Sequence, residues 1–276
     1  MPTYSIALDI GATKILGALI HGNKPIKKIK KLTGASGSKA KVLKNIKTVI
    51  DSLWLSNVKK IGVGIAAQVN PQNNLILTAT NFADFNNFKL AEILKKQYHV
   101  PVTVDNDVKC FAQGELLFGW GRHYKNFLCL TFGTGIGGAI IIDKKLYRGQ
   151  NNLAGEFGHM QIAGAWVGPA PTCGCGRKFC FESLAAGAAW HKLAKKYNEK
   201  TADKIVIANI AAGLANLVAI FNPEAIVLGG GLLEHKKLLE KLRQEFNTRV
   251  FHTTLKQTKL VKTQLGENAI LLGTLN

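Results

Sequence analysis

Residues 4–20, YSIALDIGATKILGALI, decide the fold, because two apolar runs flank a short glycine turn there. Residues 4–9 and 15–20 have the length and apolar content of strands, so the stretch predicts a strand pair joined by residues 10–14. A glycine turn leaves backbone N–H groups open to an anion, since no Cβ stands in the way. The stretch is therefore a candidate phosphate-binding turn between two strands.

The same arrangement recurs in the second half of the chain. Residues 127–132 and 138–142 are strand-like, and GTGIG at 133–137 joins them. GTGIGG matches the dinucleotide fingerprint G-x-G-x-x-G, but that fingerprint requires a helix directly after the turn. An apolar strand follows here, so we reject NAD binding, and a Walker A motif is also absent. Two copies of one device predict two mixed α/β halves, each presenting a glycine turn.

Apolar periodicity and helix caps predict the other elements. Helices are predicted over residues 41–53, 90–98, 107–117, 182–196, 204–221 and 236–246. Buried strands are predicted over 60–69, 100–104 and 225–228. Either Asn106 or Asp107 can cap the helix that follows them.

Composition indicates a soluble globular protein. The chain has 276 residues, of which 47% are hydrophobic, enough to build a core in one or two domains. Met1 runs directly into the first strand without a signal peptide, and apolar runs such as 225–233 are too short or too glycine-rich to cross a bilayer. We therefore expect a cytoplasmic protein with no membrane partner.

The net charge is extreme, with 36 Lys and Arg against 17 Asp and Glu, or +19. A polyanion partner (nucleic acid, polyphosphate or an anionic membrane) is one explanation. A lysine-rich surface without such a partner is the other. The lysines are scattered in short groups and arginine is scarce, which favours the second explanation. No specific nucleic-acid partner is expected.

Cysteine spacing indicates a metal site. Three of the five cysteines, Cys173, Cys175 and Cys180, lie within eight residues, and His159 precedes them. Three thiolates and one imidazole make a closed tetrahedral Zn²⁺ site, which is structural because no position remains for water. The alternative is three small buried residues without a metal.

In chain order, these motifs resemble the signature of the ROK family of sugar kinases and sugar-responsive repressors. The resembling stretches are AGEFGHM at 154–160 with the three cysteines and Glu182, DIGATK at 9–14, DND at 105–107 with Ala112, Gly114 and Glu115, and GTGIGG at 133–138. The resemblance implies two actin-like (ribonuclease H-like) α/β domains with a cleft between them. It implies domain limits of 1–112 and 113–263, with the zinc insertion in the second domain and residues 264–276 packing back on the first.

The resemblance also implies roles for single residues around a hexose. Asp107 matches the catalytic base that takes the proton of the attacking sugar hydroxyl. His159 would bind zinc through one ring nitrogen and face the sugar with the other. The matched sugar-contacting positions are Asn81, Asn106, Asp107, Glu156, His159 and Glu182. Helix capping is the alternative for Asp107, and a solvated surface acid is the alternative for Glu156 and Glu182.

For the nucleotide, the resemblance implies ATP with Mg²⁺. Asp9 would hold Mg²⁺ through water. The residues that would cradle the phosphates are Gly11, Ala12, Thr13 and Lys14 in the first turn and Gly133, Thr134 and Gly135 in the second. The adenosine-side turn would be Gly229, Gly230 and Gly231. Plain hairpin geometry is the alternative for each turn.

The chain departs from the family pattern at several positions. Ala12 stands where a second glycine is usual, Ala66 and Ala67 replace a Pro-Gly pair, and Phe179 replaces a glycine. The C-terminal helix also looks short. Neither a predicted ligand nor the predicted base is lost, but these changes leave the preferred sugar open.

The implied activity is ATP-dependent phosphorylation of a hexose at its 6-hydroxyl, with glucose as the first expectation. N-acetylmannosamine, N-acetylglucosamine and fructose kinases share the motifs, and polyphosphate is an alternative donor. A non-catalytic sugar-responsive regulator is the alternative from another class. Family repressors carry a DNA-binding helix-turn-helix before the first glycine turn, and the ten residues before Gly11 leave no room for one. Homodimers are common in the family, so the resemblance also implies a possible homodimer.

Overall fold

The computed structural model describes residues 2–79, 82, 84–234, 238–251 and 257–276. The chain divides into two compact units. Unit 1 comprises Met1–Gly119, Arg148–Ala154 and Glu267–Asn276, and unit 2 comprises Trp120–Tyr147 and Gly155–Gly266. Each unit is built around a five-stranded sheet with helices, so the predicted α/β class is confirmed.

The elements follow in chain order. The strands are β1 Tyr4–Ile10, β2 Lys14–His21, β3 Lys24–Leu32, β4 Val58–Ile65, β5 Gln68–Asn70, β6 Leu75–Thr78, β7 Val102–Asn106, β8 Phe127–Phe132, β9 Ile136–Ile142, β10 Lys145–Tyr147, β11 Ala225–Gly229 and β12 Lys259–Lys262. The helices are α1 Lys39–Asp51, α2 Leu90–Tyr98, α3 Asp107–Phe118, α4 Phe181–Ala185, α5 Gly187–Lys196, α6 Glu199–Phe221, α7 Leu238–Arg249 and α8 Asn268–Gly273. Short 3-10 turns cover Trp120–Arg122, Phe157–His159 and Gly231–Glu234.

The unit 1 sheet has the order β3-β2-β1-β4-β7. β1, β2 and β3 pair antiparallel, whereas β4 and β7 run parallel to β1. Gly64 in β4 is paired with Asp9 on one side and Asp105 on the other. Because parallel strands end at the same edge of a sheet, the turn after β1 and the start of α3 lie at one edge.

The unit 2 sheet repeats this order as β10-β9-β8-β11-β12. β8 and β9 form the antiparallel pair around the second glycine turn, and β11 lies parallel to β8 with Gly229 opposite Thr131. The prediction that the two openings are copies of one device is therefore confirmed. The same geometry places the turns after β8 and after β11 at one edge of the sheet.

Helix α6 is the core helix of unit 2. Within the described part of the chain, it alone is long and apolar enough to cross a membrane, by length and composition only. However, 56% of its most apolar 18-residue window is buried, and it packs against α4, α5 and α7. The helix predicted over residues 204–221 is part of α6, and its apolar stretch is longer than the run 225–233.

The C-terminal helix α8 packs closely on α3, the helix that begins at Asp107. A Cβ on Gly114 would overlap the carbonyl of Ala269, and a Cβ on Gly273 would overlap the carbonyl of Cys110. Two glycines therefore allow the two helix backbones to touch, which fixes α3 against the end of the chain.

Several predicted elements have different limits in the structure. The helix predicted over 182–196 is two helices, because Ala186 is extended (ψ 168°) between α4 and α5. The strand predicted over 60–69 ends with β4 at Ile65, and β5 begins at Gln68. The helix predicted over 236–246 is α7, and residues 236 and 237 lie outside the described residues. Strand β3 was not predicted, because its lysines suggested only a charged surface.

Candidate active site and metal centre

Asn106 and Asp107 lie at the junction of β7 and α3. Asn106 is the N-cap of α3, since its Oδ1 accepts hydrogen bonds from the N–H groups of Val108 and Lys109, both at 3.1 Å. Its Nδ2 donates to the Ala67 carbonyl and to Asp107 Oδ1, both at 3.1 Å. Asp107 Oδ1 also accepts the Val108 N–H at 2.9 Å. Asn106 therefore caps the helix, and the Asp107 carboxylate is held in one orientation.

A network that sequence reasoning missed surrounds this junction. Asp105 Oδ1 accepts the Asn106 N–H at 2.8 Å, and its Oδ2 accepts Arg148 Nη2 at 2.7 Å. Lys109 is buried (1% exposed), and its Nζ donates to the Ala154 carbonyl at 3.0 Å. Both cations thus tie the segment Arg148–Ala154 to the strand end and helix that carry Asp107. The signal in the sequence was that Lys109 falls among apolar residues that the helix buries, such as Val108 and Phe111.

Asp9 lies near the end of β1, within electrostatic reach of Asp107. Burial, then the negative charge of Asp107, raises the pKa of Asp9 from its ordinary 3.8 to about 7, while Lys14 opposes the shift. The folded protein therefore holds this proton more tightly than the unfolded chain. That contribution to stability is fully present below pH 3.8 and is lost as the pH rises through about 7. A divalent cation would favour the ionised form, and carboxylate oxygens are the ligands that Mg²⁺ prefers.

The first glycine turn is hydrogen-bonded to a buried threonine, Thr33. Gly11 N–H donates to the Lys14 carbonyl at 3.0 Å. Thr33 is fully buried, and its hydroxyl donates to the Gly11 carbonyl at 2.7 Å while its N–H donates to Thr13 at 3.0 Å. In the described part of the chain, the N–H groups of Ala12 and Thr13 have no acceptor. The turn is thus rigid and keeps two donors for an anion.

The second glycine turn has the same design. Gly133 N–H donates to the Gly135 carbonyl at 3.0 Å. The N–H groups of Thr134 and Gly135 find no acceptor among the described residues. The third turn begins at Gly229, the last residue of β11, and Gly231 starts the 3-10 turn Gly231–Glu234. Between them, Gly230 has a φ of 96°, which favours glycine.

The two acids assigned to the sugar differ in their surroundings. Glu182, at the start of α4, is half-buried, and its Oε2 accepts the Ile136 N–H at 2.9 Å. Its Oε1 lies 3.6 Å from Cys173 Sγ, which can donate to it only while the thiol is protonated. The burial and the bond from Ile136 show that Glu182 is not a solvated surface acid. Glu156 is exposed, and the solvated alternative remains open for it. Asn81 lies outside the described residues.

The predicted metal ligands converge. One ligand atom each from His159, Cys173, Cys175 and Cys180 can be chosen so that all four lie within 4.8 Å of one another. His159 Nδ1 lies 3.5 Å from Cys173 Sγ, and Cys175 Sγ lies 3.6 Å from Cys180 Sγ. A tetrahedron with metal–ligand bonds of about 2.0–2.3 Å has edges of about 3.3–3.8 Å. Two ligand pairs have this spacing and all four atoms lie within 4.8 Å of one another, so the residues are close enough to hold a tetrahedral ion, with His159 Nδ1 beside Cys173 Sγ.

The loop that carries the cysteines is wrapped by its own backbone. Gly176, at φ 85°, donates its N–H to the Cys173 carbonyl at 2.9 Å, and Arg177 Nη2 donates to the His159 carbonyl at 3.0 Å. Hydrogen bonds from the backbone and guanidinium of Arg177 lower the pKa of Cys175 to about 6, whereas burial raises that of Cys173 to about 12. A cation among the thiols would favour the thiolate at both.

Comparison with known proteins agrees with these motifs. The sequence profile of the ROK family matches residues 5–276. The chain belongs to the ROK family. A glucokinase of Streptomyces coelicolor is 29% identical over 308 residues, covering 98% of this chain and 95% of that protein. The xylose repressor of Bacillus subtilis is 28% identical, covering 98% of this chain and 75% of the repressor.

A solved ROK structure resembles the whole chain. The glucokinase of Streptomyces griseus, in complex with glucose and AMPPNP, has a TM-score of 0.85 and 26% identity, and the match covers 98% of this chain and 97% of that one. The predicted fold of two actin-like domains is therefore confirmed. Because the ROK relatives include both kinases and repressors, family membership leaves the activity to be argued from the site.

Ala12 and Phe179, two departures from the ROK pattern, differ in backbone conformation. Ala12 does not adopt a positive φ, so alanine fits the first turn without backbone strain. Phe179, by contrast, has a φ of 58°, in the left-handed region that only glycine adopts freely. The glycine that Phe179 replaces is thus explained by backbone conformation, and the phenylalanine is strained.

Phe179→Gly should be more stable than Phe179→Ala by about 0.5–1 kcal/mol, because both changes remove the ring and only alanine keeps the left-handed strain at φ 58°. Urea unfolding of the two metal-loaded variants measures the difference. Gly176→Ala, at φ 85°, is the matched control and should lower the stability of the wild type by a similar amount. Equal stabilities of the two Phe179 variants would show that the loop can leave the left-handed conformation.

Proposed function

We propose that this protein is an ATP-dependent kinase that transfers the γ-phosphoryl group to the 6-hydroxyl of a hexose. The observation that carries the proposal is the Asp107 carboxylate, fixed by Asn106 and Val108 at the sheet edge that also bears Asp9 and the first glycine turn. A fixed carboxylate can take a hydroxyl proton as the phosphoryl group moves.

The other residues have supporting roles in this proposal. Asp9, once ionised, holds Mg²⁺ through water, and Mg²⁺ neutralises charge on the phosphates. The open N–H groups of Ala12, Thr13, Thr134 and Gly135 bind phosphate oxygens. Turn 229–231 receives the adenosine side.

A third group of residues would bind the sugar. His159 turns its second ring nitrogen toward the sugar while Nδ1 faces the metal. Asn106 would contribute only if one of its four hydrogen bonds opened, because its amide is fully engaged. Zn²⁺, held by the His159 and cysteine cluster, would fix the loop that presents these groups.

Glucose is the first substrate expected, and an N-acetylhexosamine or fructose is the alternative. A sugar-responsive regulator is the second candidate function, favoured by the similarity to a xylose repressor. The fixed base favours catalysis over regulation, because a regulator needs no group to accept a proton. We expect the protein to act in the cytoplasm.

The test is ADP release by zinc-replete protein with ATP–Mg²⁺ against a panel of hexoses and N-acetylhexosamines. We expect one sugar to give clear turnover, and a parallel arm with polyphosphate identifies the donor. Turnover on no sugar with either donor, together with salt-sensitive and sequence-selective binding to duplex DNA, would replace the kinase by the regulator.

A further inference from the structure

The carboxylate of Glu182 contacts the second glycine turn, in addition to any contact with a ligand. Its Oε2 accepts the N–H of Ile136, the first residue after the turn, at 2.9 Å. A Cβ on Gly135 would overlap this oxygen and lie 2.9 Å from the carboxyl carbon. Gly135 has no positive φ, so the space taken by the Glu182 carboxylate explains the glycine there.

The chain after Glu182 is hydrogen-bonded to the other end of the same turn. The N–H of Gly187, the first residue of α5, donates to the Gly133 carbonyl at 2.9 Å. A Cβ on Gly187 would come within 2.7 Å of that oxygen, so the approach also depends on glycine. Helices α4 and α5 thus hold both ends of the turn, while the Thr134 and Gly135 N–H groups stay open.

We propose that Glu182 is a positioning residue for the phosphate-binding turn, and that it sets the affinity for the nucleotide in addition to any contact with the sugar. The proposal rests on the kinase function. By accepting the Ile136 N–H, the carboxylate fixes the direction of the neighbouring open donors, and a turn with preset donors binds phosphate without first ordering itself.

The decisive measurement is the binding of Mg²⁺–ADP in the absence of sugar, by titration calorimetry, for the wild type and two variants. Glu182→Ala removes the acceptor and should weaken nucleotide binding about 10-fold, the effect of losing one partly buried hydrogen bond to a charged acceptor. Glu182→Gln keeps an acceptor oxygen and should stay within about threefold of the wild type. Glu199→Ala, an exposed acid in the first turn of α6, is the matched control.

The outcomes separate this proposal from the kinase function. If the wild type binds nucleotide and Glu182→Ala binds it equally well, while its sugar affinity falls, Glu182 serves the sugar alone and the proposal is wrong. If the wild type binds no nucleotide, the kinase function fails and the proposal fails with it. Metal content and melting temperature are measured on each variant, so that loss of the metal loop is recognised.

A second variant tests the contact without changing Glu182. Gly135→Ala should push the carboxylate off the Ile136 N–H, since the overlapping atoms are the end of one flexible side chain. Its effect on ADP binding and that of Glu182→Ala should then be non-additive, so that the double variant is no more than about twofold weaker than either single variant. Fully additive effects would overturn the proposal even if both single variants bind poorly.

Discussion

Asp107→Asn should lower turnover by about 10²–10⁴-fold, the usual contribution of a positioned general base. The asparagine oxygen can still accept hydrogen bonds from Asn106 Nδ2 and the Val108 N–H, whose nitrogens lie 3.1 and 2.9 Å from Asp107 Oδ1. The side chain therefore keeps its place and loses only its ability to take a proton. Affinities for sugar and nucleotide should stay within about threefold of the wild type, as measured by calorimetry and steady-state kinetics.

A control variant and the pKa of Asp9 provide two further measurements on the effect of Asp107→Asn. Glu92→Gln removes an exposed carboxylate of unit 1 that pairs with Lys89, and it should leave turnover unchanged. Because the charge of Asp107 helps to raise the pKa of Asp9, Asp107→Asn should also lower the Asp9 pKa from about 7. The pH at which Mg²⁺-dependent nucleotide binding is half-complete would then fall. Unchanged turnover would mean that another group takes the proton.

The glycine turns could be predicted from the sequence because their signals are local. Gly11 and Gly133 each directly follow an apolar strand that ends at the residue before, so the paired strands fix the place of both turns at a sheet edge. The cysteine cluster was equally local, since Cys173, Cys175 and Cys180 are close in the chain. Only His159 had to be brought from a distance, and the structure brings all four residues together.

Contacts between distant segments could not be predicted in the same way. The acceptor of Ile136 is Glu182, 46 residues away, and nothing in the sequence pairs them. Lys109 was hidden among many surface lysines, although its ammonium is buried against the Ala154 carbonyl. Strand β3 was missed because its edge position tolerates lysine on an exposed face, where hydrophobic alternation is lost.

Cys180→Ser should abolish stable metal binding, lowering affinity on the order of 10²-fold or more, because one of four ligands is lost. Between the 3-10 turn Phe157–His159 and α4, the described chain forms no helix or strand, only the isolated bridges Gln161–Cys180 and Thr172–Lys178. Metal binding would therefore add order to a loop that otherwise depends on its own hydrogen bonds, and the binding energy would become folding energy.

Two measurements check the metal prediction. Metal content after dialysis against a chelator should fall to near zero in Cys180→Ser and stay near one ion per chain in the wild type. Hydrogen exchange should accelerate in the loop and in α4, which begins one residue after Cys180, while the unit 1 sheet stays protected. Cys129→Ala, which removes a buried thiol of β8 outside the cluster, should keep the metal. A Cys180→Ser protein that keeps its metal would show that the ligand set is different.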